Sequence, residues 1–122
     1  MRLQADTDGL KQLRTRLDEA CRNGESRLDL TDPHGGRIEF IRGVGGLQVL
    51  PLTEGVVIFG DSRGLIDVCR GVDYCLQNAA SSTPLDGYHH HIHLHNEIDP
   101  SYEDPIGEIT IYWRAAADIA WC

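Results

Sequence analysis

The sequence predicts a single α+β domain in two layers, a mostly antiparallel sheet with two helices on one of its faces. Three observations carry that expectation. Two long stretches repeat apolar residues at helical spacing, several short ones alternate apolar and polar residues at strand spacing, and the same element order occurs twice. With 122 residues there is room for one hydrophobic core, so residues 1–122 are read as one domain.

Arg2 to Ala5 reads as a short first strand. Asp6-Thr7-Asp8-Gly9 supplies N-cap chemistry for a helix with Leu10, Leu13, Leu17, Ala20 and Cys21 on one face, and Gly24 fits its C-terminal stop. Ser26 to Thr31 and Arg37 to Arg42 alternate about the turn Asp32-Pro33-His34-Gly35-Gly36, the pattern of a hairpin. Gly43, Gly45 and Gly46 loosen the chain before Leu47 to Leu50. After Pro51, Gly55-Val56-Val57-Ile58-Phe59-Gly60 is the most apolar short run and reads as a central strand. Asp61-Ser62-Arg63-Gly64 caps a second helix carrying Leu65, Val68, Cys69, Val72, Leu76 and Ala79. A polar loop from Ala80 to Asp86 leads to a histidine-rich strand, Gly87 to His95. The loop Asn96 to Ile106, a last strand from Gly107 to Trp113 and a short terminal helix from Arg114 to Trp121 complete the expectation.

The chain also repeats against itself. Asp6, Gly9, Leu10 and Asp18 match Asp61, Gly64, Leu65 and Asp73 at one constant offset. The later strands match as Leu28 and Leu30 with Ile92 and Leu94, and as Ile38 and Phe40 with Ile109 and Ile111. Each half therefore reads strand, helix, strand, strand, a duplicated unit. Packed side by side, two such units give one sheet whose edge strand Arg2 to Ala5 offers a pairing surface to a second chain.

Composition narrows the function. Charged residues are 25% and hydrophobic ones 41%, globular values, and no run is long enough to span a bilayer. The start Met1-Arg2-Leu3-Gln4-Ala5-Asp6 lacks the apolar core of a signal peptide, so a cytoplasmic protein is expected. The four cysteines form no CxxC pair and read as reduced apolar side chains rather than staples or zinc ligands. A formal net charge of -8 repels nucleic acid and attracts basic protein.

Five of the six histidines lie in Tyr88-His89-His90-His91-Ile92-His93-Leu94-His95. As a strand this puts His89, His91, His93 and His95 on one face and Ile92 and Leu94 on the other, toward the helices. Imidazole is the commonest metal ligand, but neighbours on a strand face are roughly 6.6 Å apart, so one strand supplies two ligands at most. A third would have to come from Tyr112, Glu108, Glu97 or a partner chain. His91-x-His93 with Glu97 resembles half of a cupin metal motif, without that family's glycine spacing or its second motif. A histidine-rich metal-binding protein or small metalloenzyme is thus the alternative reading. Catalysis has less support: the chain has no GxSxG elbow, no P-loop and no GxGxxG after a strand, so no enzyme and no cofactor are expected. Several imidazoles beside an acidic loop also suggest a pH response near neutrality.

Binding uses more of the chain. Glu97, Asp99, Glu103, Asp104 and Glu108 follow one another with no lysine or arginine between them, next to Pro100, Tyr102 and Pro105. Such a loop cannot screen its own charge and suits an Arg/Lys-rich protein.

The Asp-x-x-Gly-Leu helix start with its leucine stripe, Asp6 to Leu17, and the His-x-His-Leu strand, His91 to Leu94, running into a Pro-containing acidic loop and a final apolar strand, Glu108 to Trp113, together resemble the Immunity protein 32 family of bacterial polymorphic toxin systems. That resemblance implies a small cytosolic α+β protein that binds and neutralises a cognate toxin. The expected partner contacts are His91, His93, His95, Glu97, Asp99, Tyr102, Glu103 and Asp104. The expected partner is a basic toxin domain, and neither nucleic acid nor membrane is expected to be involved.

Overall fold

The computed structural model describes residues 2–30, 36–81, 91–95, 108–113 and 119–121; at several of these, His91, His95, Glu108 and Tyr112 among them, it describes the backbone alone. The elements run β1 (Arg2–Ala5), α1 (Thr7–Asn23), β2 (Glu25–Asp29), β3 (Arg37–Arg42), β4 (Gln48–Leu52), β5 (Gly55–Gly60), α2 (Ser62–Ser81), β6 (His91–His95), β7 (Glu108–Trp113) and β8 (Ile119–Trp121).

The two helices begin alike. Asp6 Oδ1 accepts from the Gly9 N–H at 2.8 Å, and Asp61 Oδ1 from the Gly64 N–H at 2.8 Å. The first intrahelical bonds follow from Leu10 N to Asp6 O at 2.9 Å and from Leu65 N to Asp61 O at 3.0 Å. Each aspartate thus satisfies an orphan donor of the first turn. Gly24 closes α1 in a left-handed conformation (φ 96°), its N–H bonded to Ala20 O.

The α+β class is as expected, but the strands form two four-stranded sheets rather than one: β6-β7-β1-β8 and β2-β3-β5-β4. Pairing is mostly antiparallel, and the two parallel pairs, β1 with β7 and β3 with β5, explain the division. Each unit's hairpin, β2-β3 or β6-β7, takes as its next neighbour the first strand of the other unit. The units are therefore interlocked rather than laid side by side. Leu3 stands opposite Ile111 and Ile58 opposite Phe40, the same rung in each half, since Leu3 and Ile58 are separated like Asp6 and Asp61.

The registers correct three expectations. Leu28 stands opposite Ile38 and Leu94 opposite Ile109, so the counterpart of Leu28 is Leu94, not Ile92. A slip of two keeps the inward face, which is why alternation alone did not reveal it. Arg2–Ala5 is no edge strand: β7 flanks it on one side and β8 on the other. Ile119–Trp121, expected within a terminal helix, is a strand that covers β1 as β4 covers β5; residues 114–118 lie outside the described residues. β4 itself includes Pro51, which an outermost strand tolerates because only one side of its backbone must pair.

One core joins both sheets to both helices. Leu10, Leu13, Leu17 and Ala20 of α1 and Leu65, Val68, Val72 and Cys75 of α2 meet Leu3, Ile111, Leu94 and Ile119 from one sheet and Leu28, Ile38, Phe40 and Ile58 from the other. Burying each large aliphatic side chain contributes about 1.5–3 kcal/mol. The helices also join through Arg14, whose Nε lies 2.9 Å from Asp73 Oδ1 and whose Nη1 contacts Asp18. β4 lies against β6, so the two sheets meet along those strands. Among the described residues no helix is long and apolar enough to cross a membrane.

Candidate functional site

β6 is positioned from within. Leu94 and Ile111, 6% and 2% exposed, fasten the β6-β7 pair to the core, and α2 packs over both strands. Alternation then sends His93 to the opposite side, where it is exposed. The register pairs His91 with Tyr112, His93 with Thr110 and His95 with Glu108. His93 Nδ1 lies 3.1 Å from Thr110 Oγ1, a bond in which the hydroxyl can donate or accept according to the imidazole tautomer.

The structure therefore brings His91, His93 and His95 together at alternate positions of one strand and places His93 on the helix-free side, as expected. Glu97, Asp99, Tyr102, Glu103 and Asp104 lie outside the described residues, as do His89 and His90. The backbone does fix the two ends of the acidic segment, because His95 and Glu108 stand opposite each other. The segment is the connection of the β6-β7 hairpin.

On the same helix-free side of the other sheet, Leu50 of β4 is 43% exposed and neighbours Val57 of β5, which is buried yet lies outside the main core. Val44, in the turn after β3, is 95% exposed. Two ion pairs lie on this face: Arg27 lies 2.8 Å from Asp29, and Arg37 3.6 Å from Glu39. Nothing in the sequence alternation signalled that β4 would lie beside the histidine strand.

Among the described residues, two cysteines, Cys69 and Cys75, are buried. Burial pushes the Cys69 thiol up to about 11 despite the nearby Arg14 guanidinium, and burial does the same to Cys75. Both thiols are kept protonated and so are poor nucleophiles at neutral pH. Burial works against the charge of Arg14, but its bonds to Asp73 and Asp18 outweigh that and hold the guanidinium protonated. Among the side chains described, no three His, Cys, Asp or Glu residues come together to hold a metal ion. Comparison with known proteins gives no match: neither a family model nor a curated protein nor a solved structure corresponds to this chain.

Proposed function

We propose that the chain is a non-enzymatic binding protein, an immunity protein that neutralises a basic toxin domain in the cytoplasm, in keeping with its resemblance to the Immunity protein 32 family. The observation that carries this reading is where the charge sits. The described residues hold 12 acidic and 10 basic side chains, close to balance, whereas residues 96–107 hold Glu97, Asp99, Glu103 and Asp104 and no base. That segment joins two paired strands and adjoins the imidazole positions His91, His93 and His95. Its unscreened field attracts a cationic partner and leads it onto the neighbouring strand. Tyr102, an aromatic of the kind that anchors interfaces, lies in the middle of the segment.

The test is co-expression with the basic C-terminal domain of a large secreted protein encoded next to this chain. Cells that die from the toxin domain alone should survive with the chain present, and the two should purify as a complex. Reversal of two loop charges, Glu103→Lys with Asp104→Lys, should reduce both effects. Unchanged protection by that variant, or no complex with the neighbouring domain, refutes the reading.

A further inference from the structure

The β6-β7 register supplies what a single histidine strand lacks. Alternate positions along a strand lie roughly 6.6 Å apart, so His93 and His95 can serve one ion while a third residue of β6 cannot join them. Directly opposite positions of an antiparallel pair have Cβ atoms about 4.5–5.5 Å apart. Glu108 stands opposite His95 and Thr110 opposite His93, so the backbone sets two histidines and a glutamate at three corners of one square of the ladder. Thr110 occupies the fourth corner, with its Oγ1 3.1 Å from His93 Nδ1. Ligating histidines almost always engage their second ring nitrogen in such an outer hydrogen bond, which fixes both tautomer and ring orientation.

We propose that His93, His95 and Glu108 form a binding site for a divalent transition-metal ion of the zinc class, with Thr110 as the outer partner of His93. When Thr110 accepts from Nδ1–H, the lone pair of His93 resides on Nε2, the nitrogen assigned to the metal. Two nitrogen ligands and one carboxylate oxygen suit zinc, and three protein ligands leave one tetrahedral position for water or for a side chain of a bound protein. The third ligand comes from the neighbouring strand, at a position fixed by the hairpin pairing. The assignment stands apart from the partner reading, because it requires metal binding by the chain alone.

Isothermal titration of the tag-free chain with zinc chloride, together with the visible spectrum of the cobalt-loaded chain, tests it. One ion per chain and the absorption bands of tetrahedral cobalt are expected. Thr110→Val should weaken zinc about tenfold, the scale of a lost outer hydrogen bond. His93→Ala, His95→Ala and Glu108→Gln should each weaken it more. Glu108→Gln keeps the side-chain size and Thr110→Val suits a strand, so these two decide the matter should a histidine variant not fold. His89→Ala with His90→Ala should leave binding unchanged. Absence of zinc binding overturns the assignment, and so does binding that survives Glu108→Gln and His95→Ala but is lost in the His89 and His90 variant.

Discussion

Replacing Gly55 with alanine probes the parallel pairing of β3 with β5, one of the two joints that interlock the halves. Gly55 has φ +155° and stands opposite Arg37 on the first rung of that pair. A Cβ there would lie 1.9 Å from the Arg37 carbonyl oxygen and 2.8 Å from both the carbonyl carbon and the nitrogen of Arg37. These are backbone atoms of a strand paired on both sides, so no side-chain rotation relieves the contact. Backbone strain of this kind costs about 1–3 kcal/mol, and overfilling a packed site costs about 1–3 kcal/mol. The sum, about 2–6 kcal/mol, is a large share of the roughly 5–15 kcal/mol that holds a domain of this size together. Gly24 is the control: its φ is +96°, but a Cβ would meet nothing within 4 Å. Alanine there pays only for the left-handed backbone, about 1–2 kcal/mol. Urea unfolding followed by tryptophan fluorescence and far-UV circular dichroism measures both variants. If Gly55→Ala proves no more costly than Gly24→Ala, the pairing of Arg37 with Gly55 is wrong and the interlocked arrangement loses its support.

Two further outcomes follow from the same structure. Asp6→Ala and Asp61→Ala should each destabilise by about 1 kcal/mol, because each removes a capping bond of 2.8 Å; an unchanged urea midpoint in either variant would contradict the capping role of that aspartate. Cys69 and Cys75 have thiols raised by burial from the usual 9.0 to about 11, so the folded state keeps its protons where the unfolded chain loses them. Their contribution is fully present below pH 9 and is lost as pH rises toward 11. Melting temperatures between pH 8 and pH 11 should fall more steeply for the natural chain than for the Cys69→Ala, Cys75→Ala double variant, and equal slopes would contradict this.

Much of this fold was legible because local chemistry and local periodicity agree. Asp6 and Asp61 announce helix starts on their own, and Leu10, Leu13 and Leu17 need only one apolar face to declare a helix. Strand partners were less legible. Alternation shows which side of β1 is buried but not that its neighbours are β7 and β8, because those contacts join opposite ends of the chain. The run from Arg114 to Trp121 contains three successive alanines, Ala115 to Ala117, and reads as helical, yet Ile119–Trp121 pairs with β1, whose free edge would otherwise be left open. In the candidate site the sequence alternation correctly separated His93 from Leu94. It could not tell which residue of β7 stands opposite each histidine, since that depends on register. The sequence already offered Glu108 as a possible third ligand, and the fold added the cross-strand partners, Thr110 opposite His93 and Glu108 opposite His95.

The central claim is that an acidic hairpin connection beside an imidazole strand receives a basic protein. Association kinetics of the chain with the proposed partner, a basic toxin domain encoded beside it, measured across increasing sodium chloride, test this most directly. The association rate should fall roughly tenfold or more from low to high salt. Neutralising Glu97, Asp99, Glu103 and Asp104 as amides, which halves the net charge of -8, should slow association at low salt and flatten that dependence. A rate indifferent to salt, or a neutralised variant that associates as fast as the natural chain, would contradict the claim.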